Sequence, residues 1–122
     1  MTEQYRRHYV AQVIDLYCSL PDTSSRARSA DRRLAAELCD RGIDLALVQD
    51  ALWLASARRR FRDPDAAPLP KVRSLAYFSP VVDELLQKPL PPGYREYLRY
   101  KLSALDSRRP SPPLRTRGPQ DP

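Results

Sequence analysis

Apolar residues recur at steps of three and four over most of this chain, a pattern typical of amphipathic helices. In the first twenty residues the stripe consists of Tyr5, Tyr9, Val13, Leu16, Tyr17 and Leu20. The pattern predicts a first helix from Thr2 to Leu20, which ends before Pro21.

A polar connection then leads to a second predicted helix, with Ser29 as its N-cap and Gly42 at its end. Its apolar face is formed by Leu34, Ala35, Leu38 and Cys39. A third helix is predicted after Asp44, which we expect to cap it. This helix is apolar nearly all round in its first three turns, so we expect it to be the central helix of the domain.

Pro80 interrupts the next apolar segment, because proline within a helix removes a hydrogen bond. The sequence therefore predicts a short turn at Leu75–Phe78 and a new helix with Ser79 as cap and Pro80 at the first helical position. A last amphipathic helix is predicted from Tyr94 to Leu105. Its inner face is expected to contain Tyr94, Tyr97, Leu98, Leu102 and Leu105.

Residues 107–122 hold five prolines and few apolar side chains. Such a segment cannot repay its ordering entropy, so we expect disorder. The fold class predicted is all-α: a small bundle of about five helices over residues 1–106, followed by a disordered basic tail over 107–122. No stretch is long and apolar enough to span a membrane. No signal peptide is visible. Two cysteines lie on apolar faces of predicted helices, and we expect them to be free thiols in the core. We therefore expect a cytoplasmic protein.

The net charge of +6 is concentrated in two segments. Residues 58–73 carry six cations and two acids: Arg58, Arg59, Arg60, Arg62, Lys71 and Arg73 against Asp63 and Asp65. Cations in the last helical turn are also favoured by the helix dipole alone. Because the excess goes beyond capping, we expect the loop to return Lys71 and Arg73 to the arginine turn and to form a patch suited to a phosphate backbone. Arg32 and Arg33 extend this prediction, and Arg26 and Arg28 are further candidates.

The tail is the second basic segment, with Arg108, Arg109, Arg115 and Arg117 between its prolines. Basic tails bind nucleic acid nonspecifically, and they also favour solubility. The sequence leaves both roles open. Phosphate contacts of this kind add affinity but do not read bases. Tyr100 lies off the apolar stripe beside Arg99 and Lys101, and it is the aromatic residue suited to stacking on an unpaired base.

Catalysis is not indicated by the sequence. The single histidine, His8, is expected on the exposed side of the first helix without a partner. There is no glycine-rich phosphate loop, and two cysteines do not make a metal site. We expect no enzymatic activity, no cofactor and no metal. The helices around Gly42 have the outline of a helix-turn-helix, but Asp44 and Asp50 would repel phosphate, so a structural helical hairpin is the preferred interpretation.

The order of segments YVAQVIDLYCSL, RGIDLALVQDAL, a basic loop and VRSLAYFSPVVDELL resembles the C-terminal helical region of DnaD-like replication-initiation and replisome-organiser proteins. The matching positions are Gly42, Val48, Ala51, Leu52, Tyr77, Val81 and Leu85. The resemblance runs from about Tyr9 to Leu86 and departs from the family at Pro80 and at a missing closing tryptophan. It implies DNA binding and protein contacts in replication or element mobility, with the DNA-contacting segment at Arg58–Arg73.

The leading hypothesis is a non-catalytic DNA-binding accessory protein of a replicon or mobile element, for which DNA is favoured over RNA. The alternative is a helical adaptor or regulator that binds a protein partner or itself and does not bind nucleic acid.

Overall fold

The computed structural model describes residues 2–61, 65–67 and 69–107, with side chains up to residue 103. Within that part of the chain the elements are α1 (Glu3–Ser19), α2 (Ser29–Asp40), α3 (Leu45–Arg60), a 3₁₀ turn (Leu75–Phe78), α4 (Ser79–Gln87) and α5 (Tyr94–Ser107). The all-α prediction is confirmed. The predicted tail lies outside the described residues from residue 108 onward.

The helix starts show how well local patterns predict boundaries. Thr2 caps α1, because its side-chain oxygen accepts a hydrogen bond from the Tyr5 amide at 3.0 Å. For α2 the prediction was wrong by one residue. Ser29 is the first helical residue, and the capping side chain is Asp31, whose carboxylate accepts from the Arg28 amide at 2.9 Å.

Two further predicted caps act differently from expectation. Asp44 does precede α3, but its side chain makes no capping hydrogen bond, and its carbonyl accepts from the Leu47 and Val48 amides. Ser79 is the first residue of α4 rather than its cap. Pro80 is therefore the second helical residue rather than the first, and it still lies in the first turn, where its missing amide hydrogen has no helical partner to lose.

Helix α3 is the centre of the bundle, as the sequence predicted. It packs against α1, α4, α5 and the 3₁₀ turn, and α1 also packs against α2. From residue 45 to residue 57 every side chain is buried or half-buried. The hydrophobic core around it includes Tyr9, Val13, Tyr17, Leu38, Cys39, Leu52, Leu75, Phe78, Val82, Leu98 and Leu102.

Three tyrosines expected on inner faces are exposed. Tyr94 is 37% exposed and Tyr97 is 50% exposed, because α5 packs mainly on α3 and buries only the narrow stripe around Leu98 and Leu102. The two tyrosine rings instead stack on each other, with their centroids 5.6 Å apart. Tyr5, also exposed, lies near the start of α1, where its ring meets the ring of Tyr9 edge-on.

A short extended segment before the 3₁₀ turn is joined to the loop after α1. The Val72 amide donates to the Asp22 carbonyl at 2.7 Å, and the Ser24 amide donates to the Val72 carbonyl at 3.0 Å. Thr23 and Val72 are therefore paired and both are buried. The pairing fixes the position of Lys71 and Arg73, which flank Val72.

Candidate nucleic-acid interface

The arginine turn at the end of α3 is engaged within the molecule to a large extent. Arg58 donates two hydrogen bonds to the carboxylate of Glu84 on α4, at 2.8 and 2.5 Å. These hydrogen bonds hold the pKa of Glu84 below its usual value. About half of each side chain remains exposed. The charge of Arg58 is thus largely balanced by Glu84, which reduces its value as a phosphate ligand.

Arg59 corrects a sequence prediction. Its side chain is only 6% exposed, and so it does not form part of a surface for phosphate. It donates to the Pro70 carbonyl at 2.7 Å and to the Tyr77 hydroxyl at 3.2 Å, while its guanidinium lies 5.3 Å from the centre of the Tyr77 ring. The Asp22 carboxylate is 3.8 Å away. Arg59 therefore connects α3 to three separate segments.

The remaining residues of the arginine turn contribute less to a defined surface. Arg60 is half-buried in the last turn of α3. Arg62 lies outside the described residues, as do the tail residues Arg108, Arg109, Arg115 and Arg117. That Arg62 and these tail residues contact nucleic acid stays a prediction.

Lys71 and Arg73 are brought back to the arginine turn, as the sequence predicted, because Arg59 binds the carbonyl of Pro70. Neighbouring residues of an extended segment point to opposite sides. Since Val72 is buried between them, Lys71 and Arg73 are directed outward, and both are exposed. Arg26 and Arg28, in the loop that pairs with this segment, are exposed as well. We call these four residues the loop surface. Within the described chain none of their side chains forms an ion pair.

Arg32 and Arg33 do not lie on the loop surface. They are exposed on α2 and line a groove between α1 and α2, which they share with Arg6 and Arg7. Arg6 and Arg7 were not among the contact residues that the sequence predicted. Their adjacency on a predicted helix was the available signal, but which helix would face them was not evident from the sequence.

On the side of α5 that carries Tyr100, the tyrosine ring is exposed and the neighbouring cations contact the rings of other residues. Tyr100 is 70% exposed. Its neighbour Arg99 lies over the Trp53 ring, 5.7 Å from its centre, and Lys101 lies 5.6 Å from the centre of the Phe61 ring. These contacts, together with the ion pair of Arg95 and Asp50, attach α5 to α3. Tyr100 itself remains available for contact with a ligand.

Helix α2 packs against α1 and the 3₁₀ turn rather than against α3, so the two helices do not form the hairpin that the sequence favoured. Helix α3 also lacks the surface that a recognition helix needs. Gly42 adopts a positive φ of 77° at the junction, as expected for a residue that ends a helix. A recognition helix presents its N-terminal side chains to base edges. Because no side chain from residue 45 to residue 57 is exposed, α3 cannot enter a groove of DNA in this way.

Other chemistry finds little support among the residues described. His8 is exposed on α1, as predicted. Burial raises the pKa of both thiols, Cys18 and Cys39, which keeps them protonated. No group of three or more His, Cys, Asp or Glu residues suited to a metal ion is found in this part of the chain. Likewise, none of the described helices has the length and apolar character to cross a membrane.

No family model, curated protein or solved structure matches this chain.

Proposed function

We propose that this protein is a non-catalytic DNA-binding accessory protein that contacts the phosphate backbone through the loop surface, with little discrimination of sequence. The observation that carries the proposal is the hydrogen-bonded pairing of Thr23 with Val72, which presents Lys71 and Arg73 outward beside the loop that carries Arg26 and Arg28. Cations held in place in this way lose less conformational entropy when they bind phosphate.

The distribution of charge also supports the proposal. Asp22, whose backbone carbonyl accepts from Val72, has its carboxylate 3.8 Å from the buried guanidinium of Arg59. Its charge is therefore offset within the molecule rather than by Lys71 or Arg73. The two basic residues remain available to a polyanion, and the overall charge of +6 favours its approach.

The resemblance of residues 9–86 to DnaD-like proteins supports DNA over RNA as the ligand. It also supports a replicon or mobile element as the setting. Backbone contacts carry no sequence information directly, so the proposed role is an accessory one, in which a partner or the DNA itself supplies specificity.

The test is fluorescence anisotropy with labelled duplex and single-stranded oligonucleotides at several salt concentrations. The double variant Lys71→Gln/Arg73→Gln should bind duplex DNA more weakly, and the slope of log affinity against log salt should fall by about 2, since each phosphate contact contributes about 0.9. The matched control is Arg41→Gln/Lys88→Gln, which removes the same charge from exposed positions elsewhere. Equal effects of the two double variants would show that only net charge matters, and absence of binding at low salt would refute the proposal.

A second candidate function is a helical adaptor that does not bind nucleic acid. The observation that favours it is the exposure of large aromatic side chains on and beside α5, among them Phe61, Tyr97 and Tyr100. Exposed apolar side chains that lie together on a surface mark contact sites. Association that persists at high salt, measured by sedimentation without DNA, would support this function.

A further inference from the structure

The groove between α1 and α2 has a volume of about 460 Å³ and a distinct chemical layout. Its floor is apolar and consists of small side chains, Val10, Ala11 and Ala36. The rest of the lining consists of Glu3, Arg6 and Arg7 on α1 and of Arg32 and Arg33 on α2. The layout is thus a small apolar floor with arginines contributed by both helices, which form its α1 wall and its α2 wall.

The two helices run antiparallel, which makes the groove follow their shared length. Arg6 near the start of α1 pairs with Asp40 at the end of α2, at 2.9 and 3.0 Å. Further along, the charge of Arg32 near the start of α2 acts on Cys18 near the end of α1. The lining residues of α1 recur at helical spacing, so they form one continuous stripe beside α2.

The arginines of the groove differ in how far their charge is already balanced. Arg6 is bound by both oxygens of Asp40. Arg7 lies 3.6 Å from Glu3, and both of these side chains are largely exposed, so their attraction is weak. Arg32 and Arg33 form no ion pair with any described residue. The groove therefore keeps uncompensated positive charge on its α2 wall and partly compensated charge on its α1 wall.

We propose that this groove binds an acidic amphipathic helix of a partner protein. Aliphatic side chains of that helix would rest on Val10, Ala11 and Ala36, and carboxylates beside its apolar stripe would meet the arginines. Arginine suits this role because its planar group binds a carboxylate through two parallel hydrogen bonds. A helix placed in a groove with apolar anchors is an established mode of peptide recognition.

The layout favours this occupant over a nucleic-acid strand. A phosphate backbone is anionic along its length and has no aliphatic group for the apolar floor. An amphipathic helix has both features, an apolar stripe and carboxylates beside it. The site is also formed by residues other than those of the loop surface, so it does not depend on DNA binding by Lys71 and Arg73.

The experiment uses the full chain and a labelled amphipathic peptide in which leucines recur at steps of three and four and glutamates flank them. A second peptide of equal charge carries serine in place of leucine. Three variants are compared with the wild type: Arg32→Gln/Arg33→Gln, which removes charge from one wall; Ala11→Trp, which fills the floor at an exposed position; and Lys71→Gln/Arg73→Gln, which removes equal charge elsewhere. Circular dichroism verifies that each variant is folded.

We expect the leucine peptide to bind the wild type, and its affinity to fall at least about tenfold in each of the two groove variants. The loop-surface variant should bind as the wild type does, and the serine peptide should bind much more weakly. Unchanged affinity in Ala11→Trp, or equal affinity of the two peptides, would reduce the interaction to charge alone and overturn the proposal. Absence of peptide binding would also overturn the proposal. So would an oligonucleotide that binds the wild type and loses affinity in both groove variants.

Discussion

Asp31, in the first turn of α2, accepts a hydrogen bond at 2.9 Å from the backbone amide of Leu75, which lies 44 residues further along the chain. The same carboxylate accepts from the Arg28 amide at 2.9 Å, and the residue is only 2% exposed. One buried carboxylate thus binds open amides at the start of two elements, α2 and the 3₁₀ turn. It fixes the segment that carries Lys71 and Arg73 to the rest of the bundle.

Replacement of Asp31 should therefore destabilise the fold strongly. In Asp31→Ala both amides lose their acceptor, and we expect the free energy of unfolding to fall by about 2–4 kcal/mol. Asp31→Asn should lose roughly half as much, because its amide oxygen still accepts from one of the two donors. Urea unfolding followed by Trp53 fluorescence measures both. Asp15→Ala, at an exposed position on α1, is the control and should change the value by less than about 0.5 kcal/mol. A loss under about 1 kcal/mol in Asp31→Ala would contradict the role.

Adjacent arginines on α3 should differ sharply in their contribution to stability. Arg59→Met removes a buried guanidinium that binds Pro70 and Tyr77, so we expect a loss of about 2 kcal/mol or more. Arg58→Met breaks a half-exposed ion pair with Glu84, and such pairs contribute about 0–1 kcal/mol. Each variant is the natural control for the other in the same unfolding assay. Equal losses would mean that the burial of Arg59 has no energetic consequence.

Local patterns were sufficient to predict most of the helical architecture. The turn at Leu75–Phe78 follows from the position of Pro80, because proline restricts where a helix can begin. The central position of α3 follows from its apolar residues all round. These features depend on residues that are close in sequence. For the same reason the caps were predicted to within a residue, although Asp31 rather than Ser29 provides the side chain for α2.

The candidate site was less predictable, because it depends on pairs of residues far apart in the chain. The pairing of Arg58 with Glu84 spans 26 positions, and the contact of Arg59 with Pro70 requires the loop to return. A run of arginines at a helix end does not indicate which of them face solvent. The burial of Arg59 and the exposure of Tyr97 both follow from how neighbouring helices pack. The spacing of residues along the sequence does not indicate how the helices pack.

Tyr9 gives the protein a specific dependence on alkaline pH. Its ring is fully buried and its hydroxyl donates to the Ile43 carbonyl at 2.7 Å. Burial raises the pKa of Tyr9 above its usual value. A raised pKa in the folded state contributes stability that is complete below the unfolded pKa, about 10, and is lost as pH rises through the folded pKa.

Tyr9→Phe should therefore be less stable than the wild type by about 1–2 kcal/mol at neutral pH, since the Ile43 carbonyl loses its donor. Above about pH 10 the difference in the free energy of unfolding between the wild type and Tyr9→Phe should narrow by up to about 1.4 kcal/mol per pH unit. The reason is that only the wild type has this tyrosine to ionise on unfolding. Chemical unfolding at pH 7 to 11 measures the difference. Tyr100→Phe, at an exposed position, is the control and should change the free energy of unfolding at pH 7 by less than about 0.5 kcal/mol. A difference for Tyr9→Phe that stays constant from pH 7 to pH 11 would contradict the prediction.

Substitution of Tyr100 tests whether the protein uses this residue to bind single-stranded rather than duplex DNA. Its ring is 70% exposed, and the cations beside it lie over other rings, so Tyr100 itself can stack on a base. A base is available for stacking only when it is unpaired, and such a contact contributes about 1–3 kcal/mol. We therefore expect Tyr100→Ser to lower affinity for a single-stranded oligonucleotide by about tenfold and to leave duplex affinity unchanged in the anisotropy assay. Tyr100→Phe keeps the ring and should bind as the wild type does. If serine and phenylalanine variants lose affinity equally, the hydroxyl rather than stacking is responsible, and if duplex affinity falls as much as single-strand affinity, Tyr100 does not distinguish the two forms.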